Sequence, residues 1–160
     1  MEIQKPTYDS FLLDVAPQNR LFVDATHAFL LENGCKTRVQ LAKSGYVVSY
    51  DHAGSKRVIA NYVFRRKGML MRLYADHVGA YEDQLQALPE SMRKAIAKSP
   101  TCKRLIDPTR CSPHCRMGNT FTLDGEEHKK CRFTNFLLLV DEESQPYLRG
   151  LLEREMAARG

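Results

Sequence analysis

Residues 38 to 74 narrow the possible folds most. Short β-branched and aromatic runs alternate there with turns of only a few residues. Val39 and Leu41 alternate with Arg38 and Gln40. Tyr46 to Tyr50 is entered by Ser44-Gly45. Arg57 to Phe64 follows the turn His52-Ala53-Gly54-Ser55, and Met69 to Tyr74 follows Arg65-Arg66-Lys67-Gly68. Links this short join antiparallel neighbours, because a parallel crossover needs about a dozen residues or more. The block therefore predicts an antiparallel meander.

Helical periodicity flanks it on both sides. Asp9 or Ser10 is placed to cap a short helix through Asp14, ended by Pro17. A longer helix is predicted over 18–33, with Leu21, Phe22, Ala25, Phe29 and Leu30 on one face and Gly34 at its C′ position. After the meander, Asp76 stands as the N-cap of a helix to about Ala87, and Pro89 opens another to about Lys98. Residues 101–118 are irregular. Asn119 to Leu123 and a second extended segment flank Asp124-Gly125, a pair that favours the tight type I′ hairpin turn. Phe133 to Val140 reads as a buried strand, and Ser144 precedes a helix with Leu148, Leu151, Leu152 and Met156 on one face.

The expected fold class is α+β: an antiparallel β-meander with helices packed on one face, plus a Cys-rich loop and hairpin. The 160 residues suit a single domain, with an arm over 1–8 and the Cys-rich loop and hairpin over 101–132. No apolar run nears the roughly 18 residues of a membrane helix. The N-terminus lacks a signal-peptide pattern, so no membrane partner and a cytoplasmic location are expected.

The chemistry-bearing feature is the spacing Cys102-x8-Cys111-x3-Cys115-x15-Cys131. Zinc takes four tetrahedral ligands and binds thiolates well. Pro113 stiffens the loop between the close pair, and Gly118 permits a sharp turn beyond it. From Ser99 to Arg132 there are seven basic residues against four acidic ones, a setting that favours thiolates. The expectation is a closed structural zinc site on Cys102, Cys111, Cys115 and Cys131, with His114 and His128 as substitutes for one cysteine. Free thiols, a disulfide or redox pair and an iron–sulfur cluster are the alternatives. Four thiolates leave no open coordination position, which argues against a metal hydrolase. Cys35, remote in sequence, reads as a small buried thiol.

Other catalytic signatures are missing. There is no phosphate-binding glycine loop and no G-x-S-x-G. No catalytic residue is assigned, and a non-enzymatic protein is expected. The formal net charge is +5, which permits nucleic-acid binding without requiring it. Tyr62, Arg65, Arg66, Arg72 and Tyr74 on the meander are the candidate ligand contacts, since stacking rings beside arginines suit a flat anionic ligand or single-stranded nucleic acid. The competing reading makes the rings core and the arginines rim.

Tyr62-Val63-Phe64-Arg65-Arg66-Lys67-Gly68-Met69, Cys102-Lys103-Arg104-Leu105, the loop Cys111 to Gly118, and Lys130-Cys131-Arg132-Phe133 with Phe136 together resemble a bacterial family of small proteins with no assigned activity. The resemblance implies no catalytic residue. By element order, the chain is also similar to the YjbR/YdhG-like architecture. The leading expectation is a zinc-stapled module for a small-molecule or macromolecular ligand. A basic nucleic-acid-binding or regulatory protein, using Arg65, Arg66, Lys67 and the patch Lys129 to Arg132, is the alternative. A redox protein using Cys115 or Cys131 is the second.

Overall fold

A computed structural model describes residues 5–111 and 118–160. Two helices, α1 (Tyr8–Asp14) and α2 (Pro17–Glu32), lead into four strands: β1 (Cys35–Ala42), β2 (Gly45–His52), β3 (Arg57–Arg65) and β4 (Gly68–Leu73). A 3-10 turn over Val78–Tyr81, then α3 (Glu82–Gln86), α4 (Glu90–Lys98) and the one-turn α5 (Lys103–Ile106), precede the hairpin β5 (Asn119–Leu123) and β6 (Glu126–Lys130). The chain continues through β7 (Leu137–Leu139) to α6 (Gln145–Ala158). The sheet order is β1-β2-β3-β4-β7, with every pairing antiparallel, so the α+β meander stands as expected.

Local chemistry explains most boundaries. The cap of α1 is Thr7, a little earlier than expected. Its hydroxyl accepts from the Ser10 amide at 3.0 Å and the Ser10 hydroxyl accepts from the Thr7 amide at 2.9 Å, a reciprocal capping box. Gly34 takes φ of 81° after α2, where a Cβ would be strained. Asp124 and Gly125 take φ of 52° and 80°, both positive as a type I′ turn requires.

Three expectations change. The buried face of α2 runs through Asn19, Val23, Thr26 and Leu30, while Leu21 is 85% exposed. Val23 joins the same core as the sheet rings and Thr26 sits beside the Tyr62 hydroxyl, with Phe22 and Phe29 partly buried against the core. Asp76 does not cap a helix; its carboxylate is drawn inward by three arginines. Residues 133–136 are not strand. The Cys131 carbonyl accepts from the Thr134 and Asn135 amides at 3.1 and 2.9 Å, closing a turn that leaves only three residues for β7.

The core lies between the helices and one sheet face. Val48, Tyr50, Tyr62, Met71, Leu73 and Leu138 meet Phe11, Val23 and Leu30 from α1 and α2, and Leu148, Leu151 and Leu152 from α6. Phe121 and Leu123 bring the hairpin into the same core. Glu82 and Gln86 of α3 bind the backbone of β5: Glu82 accepts from the Thr122 amide, and the Gln86 side chain donates to the Thr122 carbonyl at 2.7 Å. No helix among the described residues is long and apolar enough to cross a membrane.

Candidate metal centre and ligand face

Cys102 and Cys131 lie where three stretches of backbone meet. Thr101 and Lys130 form an antiparallel bridge. The Cys102 amide donates to the Lys129 carbonyl at 2.8 Å, and the Cys131 amide donates to the Pro100 carbonyl at 2.9 Å. Cys102 is therefore opposite Lys129 and Cys131 opposite Pro100. Strand alternation puts the two thiols on one face as diagonal neighbours. The third stretch arrives at Gly118, whose amide donates to the Cys102 sulfur at 3.2 Å. A Cβ on Gly118 would sit 2.0 Å from the Lys130 carbonyl oxygen and 2.8 Å from the Cys102 Cβ, so only glycine allows this approach.

Cys102 is buried, Cys131 half-buried and Cys111 exposed, and these three form no disulfide among the described residues. Cys111 holds φ of 66°, an uncommon conformation for a residue with a side chain. Cys115 and His114 lie outside the described residues. Among the described residues no three ligating side chains stand together; the structure brings Cys102 and Cys131 to one corner and leaves Cys111 at the head of the loop. His128 belongs to the other face of β6, where its ring lies 5.9 Å from that of Phe121. Cys35 is the buried thiol expected, and burial pushes it up to about 11.

The five candidate ligand contacts separate. Tyr62 is 1% exposed in the core, its ring 5.8 Å from Phe11 and 6.3 Å from Tyr50, and burial drives its hydroxyl well above the usual phenol range. Arg65 and Arg66 are exposed at the β3–β4 turn, and Arg65 donates to the Ser44 hydroxyl at 3.3 Å. Arg72 and Tyr74 belong to the other sheet face. There the ladder aligns Arg38, Ser49, Asn61, Arg72 and Leu137 in one row across five strands. Arg72 donates to Asn61 Oδ1 at 3.2 Å and to the Phe133 carbonyl at 2.6 Å. Arg38 pairs with Asp51, with Nη2 to Oδ1 at 3.0 Å. Tyr74 is nearly buried beneath the Arg132 guanidinium, 4.9 Å from its ring, and the edge of Phe133, itself 45% exposed.

The basic patch at Lys129 to Arg132 is mostly turned inward. Lys130 Nζ donates to the Ala97 and Ser99 carbonyls at 2.7 and 2.9 Å, tying down the end of α4. Arg132 grips Asp76 with two bonds of 2.7 and 3.1 Å. Lys129 is left exposed. At the other basic cluster, Lys67 shares a cleft with Asp14 and Asp141.

Sequence reasoning missed the densest set of charges. Asp76 Oδ2 also receives Arg159 at 3.1 Å and Arg57 at 3.3 Å. Arg159 turns its Nε to Glu155 Oε2 at 2.7 Å. Glu155, fully buried, further accepts from the His77 amide at 2.9 Å and the Tyr81 hydroxyl at 2.8 Å, and its Oε2 lies 2.9 Å from His77 Nδ1. Burial opposes charge on Asp76, but Arg132, Arg159 and Arg57 outweigh it and hold the carboxyl below its usual range. The one available signal was Glu155 itself, a charge on the apolar stripe of α6.

None of the family models, curated proteins or solved structures searched matches this chain.

Proposed function

We propose that this chain is a non-catalytic ligand-binding module whose 101–132 segment is stapled by a structural zinc ion. Cys102, Cys111, Cys115 and Cys131 would hold the metal, and its chemistry would be to fix the loop against the hairpin. The observation that carries the reading is the meeting of Cys102, Cys131 and the Gly118 amide at one paired corner. Backbone N–H groups directed at a cysteine sulfur satisfy the lone pairs that a metal-bound thiolate retains. A Gly118 approach that no other residue permits keeps the donor in place. The four-cysteine set suits zinc by softness and by ligand number.

Elemental analysis with native mass spectrometry tests this. One zinc per chain, lost together with the fold of the segment in Cys111→Ser, is the expected result. A metal-free protein whose clustered thiols all alkylate rapidly overturns it.

The ligand face in this reading is the accessible part of the outer-face row, Arg38 and Arg72 beside Phe133, with Ser49 and Asn61 buried between them as support, in place of the dispersed five contacts. Arginine next to an exposed ring suits a planar anion. Titration with AMP should shift the Arg72 side-chain Nε–H and the Phe133 ring and spare Tyr62; shifts confined to the Arg65–Lys67 turn would refute this placement. The inward use of Lys130 and Arg132 supports a small ligand over a nucleic-acid backbone.

A further inference from the structure

β7 is an edge strand, paired with β4 on one side only. The ladder fixes which of its backbone groups are used. Leu138 is opposite Met71, the Leu73 amide donates to the Phe136 carbonyl, and the Val140 amide donates to the Met69 carbonyl. Phe136, Leu138 and Val140 therefore bond toward β4. The alternate residues, Leu137 and Leu139, turn their amides and carbonyls away from the sheet. Among the described residues, one of these four groups has a partner: the Leu139 carbonyl accepts from the Ser144 hydroxyl at 2.6 Å. The Leu137 amide and carbonyl and the Leu139 amide stay open.

These groups border a cleft. Leu137 to Leu139 share it with Ser91, Met92 and Ala95 of α4, around a space of about 270 Å³. Leu139 is 37% exposed beside it. One end is acidic. Asp141 and Glu143 line the cleft, and Asp14 and Glu142 line two hollows that adjoin it at Asp141. Among the described residues none of these four acids has an ion-pair partner, and Lys67 is the single cation lining the three spaces. Four carboxylates against one amine leave a local charge of 1 − 4, or −3, on a chain whose net charge is +5.

We propose that this cleft takes an extended peptide segment of a partner protein, added beside β7 as a further antiparallel strand, with apolar residues alternating toward α4 and basic residues at its N-terminal end. A peptide backbone supplies the three hydrogen bonds that β7 leaves open, which a purely apolar ligand does not. β7 runs toward Asp141, so the N-terminal end of an antiparallel neighbour lies at the acids, and opposite charge there selects basic residues. Neither zinc nor an anion at Arg38 and Arg72 is needed for this.

Fluorescence anisotropy of the full chain with a labelled RKVTVTV peptide tests it, with DEVTVTV as the charge-reversed control. RKVTVTV should bind, and more weakly as salt rises. It should slow amide exchange at Leu137 and Leu139 by about tenfold, while Leu138, already bonded to β4, changes little. Ala95 is exposed on α4, so Ala95→Arg should leave the fold intact, fill the cleft and weaken binding by about tenfold or more. Glu142→Lys/Glu143→Lys should weaken RKVTVTV and admit DEVTVTV. Leu139→Pro removes an open amide without touching the β4 ladder and should also weaken binding; if circular dichroism shows it unfolded, Ala95→Arg decides. No RKVTVTV binding at about 1 mM peptide, equal binding of DEVTVTV, or binding unchanged in Ala95→Arg overturns the proposal. A dimer seen by sedimentation and abolished by Ala95→Arg gives the cleft to a second copy and overturns it as well.

Discussion

Glu155→Ala tests the physics of the buried charge line most directly. The side chain is fully buried and has partners on every side: Arg159, the His77 ring, the His77 amide and the Tyr81 hydroxyl. Removing one member of a buried ion pair costs about 3–5 kcal/mol. Arg159 retains Asp76 and three carbonyls, which places its share at the low end. The Tyr81 hydroxyl, left without an acceptor, adds about 1 kcal/mol or more. A total near ~4 kcal/mol is expected. With a urea slope of about 2 kcal/mol/M, the midpoint should fall by about 2 M. Glu155→Gln keeps the shape and loses the charge, so it should cost about half as much. Equilibrium urea unfolding followed by circular dichroism reads both variants. Because each single variant removes the same direct Arg159–Glu155 bond, the double variant Glu155→Ala/Arg159→Met should be less damaged than the sum of the singles. A Glu155→Ala protein within about 1 kcal/mol of the parent, or strict additivity in the double variant, would refute the reasoning.

Acid should weaken the fold in two separate windows. His27 is held below the usual imidazole range by burial, against a smaller pull from Asp24, and His52 by burial and then by Arg159. The unfolded chain therefore binds more protons as pH falls below about 6.5, so stability is full above that value and declines beneath it. Urea midpoints from about pH 8 to 5 should show the decline, and His27→Gln/His52→Gln should flatten it. A flat parental profile would contradict the burial argument. The lowered Asp76 carboxyl contributes stability above about pH 3.9 that is lost only as pH falls through its folded value. Gly118→Ala should cost about 2–3 kcal/mol by urea unfolding, because its methyl group meets the Lys130 backbone and has nowhere to go; on the proposed zinc reading, native mass spectrometry should also find weaker zinc retention. Tyr62→Phe should cost less than about 1 kcal/mol by thermal melting, since the buried Tyr62 hydroxyl has only the Thr26 hydroxyl beside it and makes no well-formed hydrogen bond, and a larger loss would contradict that.

Elements defined by neighbouring residues are legible along the chain. Turns of a few residues oblige β1 to β4 to pair in chain order, and Asp124-Gly125 has little choice of turn. The α6 stripe through Leu148, Leu151, Leu152 and Met156 likewise follows from the helical repeat, and all four are buried. Other features could not be read in this way. The apolar residues of α2 span more than one stripe, and the one that packing buries runs through Asn19, Val23, Thr26 and Leu30. Phe133 to Val140 has strand composition throughout, but the Cys131 carbonyl captures the Thr134 and Asn135 amides and bends its first half away.

The candidate site divides along the same line. The cysteine spacing and the glycine beyond the loop are local facts, and they put Cys102, Cys131 and Gly118 among the residues to look at. Its assembly depends on the bridge between Thr101 and Lys130, which are remote in sequence. Tyr62 and Arg72 lie near each other in sequence, yet pairing in the sheet sends one into the core and the other to the outer row. Asp76, Glu155 and Arg159 form no pattern along the chain, since the contacts that hold Asp76 span up to 83 positions. Strand order, turn types and thiol spacing are written in the residues themselves, because each depends on backbone geometry over a short stretch. Which faces are buried and which charges meet is settled in three dimensions, by long-range packing and by the need to pair every charge that packing removes from water.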